Sequence, residues 1–92
     1  MTTPFDRLMA EAAYQGITVD DQCILSEDIN ALYLPSMRRI MLDRRLTEDE
    51  RAVALAHEIA HAVLDHGIGD DAEEEAAESF GRAMLAQAGW HR

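Results

Sequence analysis

The sequence predicts an α+β domain: an N-terminal helix, a small and mostly antiparallel sheet containing a hairpin, a long apolar helix and a closing helix. Three observations carry this reading. Apolar residues recur at helical spacing near both ends of the chain, β-prone runs crowd residues 17–42, and an almost wholly apolar stretch begins at a strong helix-start signal. With 92 residues in all, a single domain over 1–92 is expected.

The elements follow in order. Phe5, Leu8, Met9, Ala12 and Ala13 make one apolar face of a helix over Phe5 to Gln15, with Pro4 at its entrance and Gly16 as its stop. Ile17-Thr18-Val19 and Cys23-Ile24-Leu25 read as two short strand pieces around the polar Asp20-Asp21. Ala31 to Leu34, a turn at Pro35-Ser36, and Arg39 to Leu42 make a hairpin. Pro35 has no N–H to give a ladder, so it belongs to the turn.

Thr47 then stands as an N-cap, with Glu50 three residues on to complete a capping box and acids filling the first turn. Beyond it Ala52, Val53, Leu55, Ala56, Ile59, Ala60, Ala62, Val63 and Leu64 leave almost no polar face, which predicts a buried helix. His66 to Asp71 form a loop. Ala72 to Ala88 form the last helix, with Ala76, Ala77, Phe80, Ala83 and Met84 as its apolar stripe and Gly89 as its stop. Trp90 is expected to fold back over apolar surface.

Composition excludes several classes. Eighteen acids against eight Lys and Arg give a net charge of −10, which argues against direct nucleic-acid binding and against an anionic membrane surface. The one cysteine, Cys23, allows no internal disulfide and suits a reducing compartment. No signal peptide is evident, and the longest apolar run is far too short to span a bilayer. A cytoplasmic protein is expected.

The chemistry concentrates at His57-Glu58-Ile59-Ala60-His61. On a helix, residues four apart share a face, so the His57 and His61 imidazoles can reach one tetrahedral zinc ion. Glu58 is turned about a quarter of a circle away, where it can act as general base on a water rather than as a ligand. Two imidazoles and a carboxylate inside an apolar helix are costly unless they are paired or bind a metal. One zinc ion per chain is therefore expected, held by three protein ligands, and the third must come from further along.

His66, Asp70, Asp71, Glu73 and Glu74 lie within reach, with Glu75 and Glu78 behind them. Gly67 follows His66 rather than preceding it, so His66 reads better as the end of the helix, and Asp70 and Asp71 read better as caps. Glu75 falls opposite the apolar stripe. Glu73 and Glu74 flank the stripe on opposite sides, and periodicity does not choose between them.

The stretches Ile40 to Arg51, His57 to His66 and Glu74 to Leu85 together resemble the ImmA/IrrE family of metallopeptidases, over roughly residues 30 to 86. In that family a strand like Ile40-Met41-Leu42 leads into the motif helix, and a later helix carries a glutamate in the spacing seen here as Glu74-x-x-Ala77-x-x-Phe80. The resemblance implies His57 and His61 as ligands, Glu58 as base and Glu74 as third ligand. Glu78, where the family often has an amide, lies one turn on from Glu74 and is a candidate to support it from behind. It also implies a peptide or protein substrate, typically a DNA-binding repressor of a phage or mobile element.

A peptidase must hold an extended substrate, and an exposed edge strand does this through backbone hydrogen bonds. The strand of Arg39, Ile40, Met41 and Leu42 is the sequence candidate. Tyr33 and His66 are candidates for stabilising the transition state. The main expectation is a zinc-dependent endopeptidase of narrow specificity. The alternative is a metal-stabilised binding module that does not cut, although such a module would have no chemical need of Glu58.

Overall fold

A computed structural model of the chain describes residues 2–64 and 71–90. Helix α1 spans Pro4–Tyr14. Thr3 caps it, its Oγ1 accepting from the Asp6 N–H at 3.1 Å while Asp6 accepts from the Thr3 N–H at 3.1 Å. That reciprocal pair satisfies two donors the first turn would otherwise leave open. Leu8 and Ala12 bury the inner face. Gly16, at φ 74°, then reverses the chain, a backbone state that glycine adopts without steric cost.

Three strands form one sheet: β1 (Thr18–Cys23), β2 (Ala31–Leu34) and β3 (Arg39–Asp43). The hairpin is as expected, with a 3-10 turn at Pro35–Met37 and the antiparallel partners Ala31↔Leu42 and Tyr33↔Ile40. Before it the chain forms one strand where two were expected. This strand runs through the polar Asp20-Asp21 to Cys23 and leaves Ile24 and Leu25 outside. It is irregular between Asp20 and Cys23, and pairs in parallel with β3 through Thr18↔Arg39 and Val19↔Ile40. The order is β1-β3-β2, so the sheet is mixed.

This order corrects one expectation. Arg39, Ile40, Met41 and Leu42 lie on the central strand, and both edges of β3 are already bonded. With its N–H and C=O groups committed to neighbours, β3 cannot add a substrate strand. Ile40 and Leu42 are fully buried, which is why the centre of the sheet falls there.

Helix α2 spans Glu48–Val63, with Thr47 and Glu50 forming the expected capping box. Helix α3 spans Asp71–Gln87. Its end is a Schellman motif: Gly89 at φ 89°, the Trp90 N–H on the Leu85 carbonyl at 3.0 Å and the Gly89 N–H on the Ala86 carbonyl at 3.1 Å. This closure turns Trp90 back against the core. Leu8, Ile40, Leu42, Leu55 and Ile59 are the largest fully buried side chains, contributed by α1, β3 and α2. Among the described residues no helix is long and apolar enough to cross a membrane.

Two further expectations are adjusted. Helix α2 is not buried all round, because Val53 is 42 % exposed and Val63 and Leu64 also face outward. On α3 the buried line runs through Ala77, Gly81, Leu85 and Ala88, whereas Ala76 and Ala83 are exposed and Phe80 is 38 % exposed. The reason is Gly81. A Cβ there would stand 3.3 Å from the Ala56 carbonyl oxygen and 3.4 Å from the His57 Cα. The two helix backbones meet along this line of small residues, so hydropathy gives the wrong face.

Candidate metal centre

α2 presents His57 and His61 one turn apart, and α3 crosses them at the turn carrying Glu74. The two imidazoles meet edge to face, with centroids 4.8 Å apart. His57 Nε2 lies 3.1 Å from His61 Nε2. Glu74 spans the pair, with Oε2 3.2 Å from His57 Nε2 and Oε1 3.1 Å from His61 Nε2. Three ligand-type side chains from two helices therefore converge on one point.

The spacing fits a metal ion. Two atoms each ~2.05 Å from a tetrahedral centre stand about 3.3 Å apart, close to the separations found here. The donor set fits as well. Two ring nitrogens this close, both facing one carboxylate, must share protons or a cation, since their lone pairs would otherwise oppose one another. His61 is buried, at 8 % exposure, His57 is half-buried and Glu74 is exposed, so a cation here would be shielded on the α2 side and reachable by water on the Glu74 side. Glu58 belongs to the same cluster, with a carboxylate oxygen within 4.8 Å of the histidine ligand atoms.

Glu58 is half-buried at the edge of the cluster. Burial raises the pKa of its carboxyl above the ordinary value; His57 opposes that shift and the Glu74 charge adds to it. A carboxylate with a raised pKa accepts a proton more readily, which suits a general base.

A cleft of about 940 Å³ opens beside His57 and Glu58, between α2, α3 and the chain entering β2. That volume is ample for several side chains of a bound peptide. Ala31 and Asn30 line it on the sheet side, and Leu85 and Trp90 line it on the α3 side. Exposed Val53 also belongs to its wall, which accounts for an apolar side chain left uncovered on α2.

The remaining candidates fall in different places. Tyr33 packs against the core from β2 and is not among the residues lining the cleft. Glu78 does line the cleft, but its carboxylate is engaged by Arg82 at 2.6 Å, one turn along α3. His66 and Asp70 lie outside the described residues.

Asp43 has a structural role that the sequence reading missed. It is 3 % exposed and accepts from the Leu25 N–H at 2.9 Å, the Arg45 N–H at 2.9 Å and Arg45 Nε at 2.8 Å. These bonds tie the segment after β1 to the end of β3, upstream of the residues that wall the cleft. Hydrogen bonds from Arg45 hold its carboxyl far below the usual carboxylate range. An acid ending an apolar strand just before two arginines is the signal that could have found it.

No curated protein and no solved structure was found to match the chain. A family comparison does match, over residues 12–90: the M78 peptidases, described as the IrrE N-terminal-like domain. The matched span takes in all three strands, the histidine pair and Glu74. The chain belongs to this peptidase family.

Proposed function

We propose that the chain is a zinc-dependent endopeptidase that cleaves a protein substrate within the cytoplasm. The observation that carries this reading is the convergence of His57, His61 and Glu74 within 3.2 Å of one another, with Glu58 and an open cleft beside them. His57, His61 and Glu74 would hold the ion. When bound, it supplies the positive charge that polarises a scissile carbonyl and acidifies a water.

The protein's own groups do the rest. Glu58 Oε takes the proton of the attacking water and returns it to the departing amine, so the same carboxyl serves first as base and then as acid. Its partial burial keeps bulk water from competing for that proton.

The substrate strand belongs on β2, the edge strand nearest this site. The Asn30 carbonyl accepts from the Asp43 N–H at 2.9 Å, so Asn30 faces β3. In an antiparallel pair, alternate residues turn their N–H and C=O to opposite sides. Ala31 and Tyr33 therefore offer theirs to the free edge, and Ala31 lies at the cleft. A peptide added there would run past Glu58 with its backbone held and its side chains free to be selected.

The resemblance to the ImmA/IrrE metallopeptidases favours a DNA-binding repressor as substrate. The test is incubation of the zinc-loaded chain, and of its Glu58→Gln variant, with repressor proteins encoded beside its gene. The parent is expected to cut one at a single position, while the variant keeps its metal and loses at least ~10²-fold in rate. Equal cleavage by the two would remove Glu58 from the mechanism. Binding by both without cleavage would replace the peptidase reading with that of a non-cutting regulatory module.

A further inference from the structure

The cleft beside Glu58 is not neutral. Among the described residues its lining includes Asp28, Asp49, Glu50, Glu58 and Glu78 against one arginine, Arg82. Arg82 is already paired with Glu78 at 2.6 Å. Glu50 is spent on the cap of α2, accepting from the Thr47 N–H at 2.8 Å. That leaves Asp28 and Asp49, both exposed and neither in an ion pair among the described residues. Asp49 is partly balanced by the N-terminus of α2, and Asp28 has no such compensation.

Between these acids the wall is apolar, formed by Val53, Ala54, Leu85 and Trp90. The indole Nε1 of Trp90 is buried there without an acceptor among the described residues. The site thus combines an apolar strip, a free strand edge and uncompensated negative charge on the rim. An acidic or plain apolar peptide would satisfy only part of this. A polypeptide with cationic side chains flanking an apolar one would satisfy all of it.

We propose that the cleft selects substrate segments in which Lys or Arg flanks an apolar residue, with Asp28 and Asp49 as the residues that set this preference. The proposal rests on the peptidase reading of the neighbouring site. It deepens that reading by naming the chemistry of the segment recognised. Glu58 stays available for catalysis because the two rim aspartates, not Glu58, meet the substrate's charges.

Trp90 is the only tryptophan of the chain and lies in the cleft wall, so its fluorescence reports occupancy independently of cleavage. The probes are three short peptides built around Leu-Leu, flanked by Lys and Arg, by Gln, or by Glu. They are titrated into the zinc-loaded chain, and the same samples are checked for cleavage by mass spectrometry.

The basic peptide is expected to bind about tenfold more tightly than the Gln peptide, the product of two exposed charge pairs worth about threefold each. The gap should narrow as salt is raised, since exposed charges are screened. In the Asp28→Asn, Asp49→Asn double variant it should fall to about twofold or less. Equal binding of the three peptides, no binding of any, or an undiminished gap in the double variant would each overturn the proposal. Preferential binding of the basic peptide that the double variant abolishes, with no peptide ever cut, would uphold the selectivity and count against the peptidase reading instead.

Discussion

Gly81 sets how closely α3 approaches the histidine helix, and replacing it tests whether that approach fixes the metal site. In Gly81→Ala the new methyl would lie 3.3 Å from the Ala56 oxygen, 3.4 Å from the Ala56 carbonyl carbon and 3.4 Å from the His57 Cα. All three are α2 backbone atoms, which cannot swing aside as a side chain can, so α3 must move off by a few tenths of an ångström. Alanine gains about 1 kcal/mol over glycine in helix propensity, while overpacking costs about 1–3 kcal/mol. The metal-free chain is therefore expected to lose no more than about 2 kcal/mol. The metal should register the shift more sharply, because ligand distances tolerate only about ±0.2 Å. Glu74 sits on the displaced helix while His57 and His61 stay on α2. A loss of about 10- to 100-fold in zinc affinity is expected, the range typical of groups that support ligands from behind. Gly81→Val adds bulk without alanine's helix preference and should lose more. Competition titration against a chromophoric chelator gives the affinity, and melting of the metal-free variants gives the stability. Zinc binding by Gly81→Val at the parent's affinity would refute the reasoning.

Three other outcomes follow from the same geometry. Chelation should lower the melting temperature, since metal at a hundredfold its dissociation constant adds about 2.7 kcal/mol; identical melts with and without chelator, and no metal by elemental analysis, would contradict the site. Glu74→Ala should lose most metal affinity and Glu78→Ala little, as Glu78 is held by Arg82; isothermal titration with zinc decides, and equal losses would unseat Glu74. Asp43 has a folded-state pKa below its unfolded value, so its contribution to stability is complete above about pH 4 and is lost as pH falls from there towards the depressed folded value. Asp43→Asn should accordingly unfold at lower urea than the parent at about pH 7, with a smaller difference at about pH 3. A difference that does not shrink with acid would count against the Arg45 latch.

What the sequence made legible was local. Thr47 and Glu50 announce the start of α2 within four residues, and the histidine spacing fixes a shared face once the helix is granted. The hairpin around Pro35 is local in the same way. What stayed hidden depends on contacts between distant segments. Nothing in Thr18-Val19-Asp20 says that this strand joins β3 in parallel, which turns Arg39 to Leu42 from an edge into the centre. On α3, Phe80 drew the apolar stripe towards itself because it is large, whereas contact with α2 runs through Gly81, which hydropathy ranks low. Once the line is drawn through Ala77, Gly81, Leu85 and Ala88, Glu74 lies nearer its middle than Glu73 at 100° per residue. The choice that periodicity alone left open then agrees with the family spacing. Asp43 was passed over because burial of an acid is recognised only when its donors, Leu25 and Arg45, come together in space.

The seam between α2 and α3 bears on how the molecule comes apart. Gly81 meets the Ala56 and His57 backbone there, and among the described residues Leu85 is the one large side chain that α3 buries, so the closing helix itself withdraws little apolar area from water. The sheet, α1 and α2 share the large buried side chains and should open only with the whole molecule. The closing helix is then the segment expected to detach as a unit, at a cost well below that of global unfolding. An ion gripping His57, His61 and Glu74 would act as a cross-link between the two helices. Amide exchange along α3 should accordingly be faster than in α2 without metal and slow towards the global limit with it.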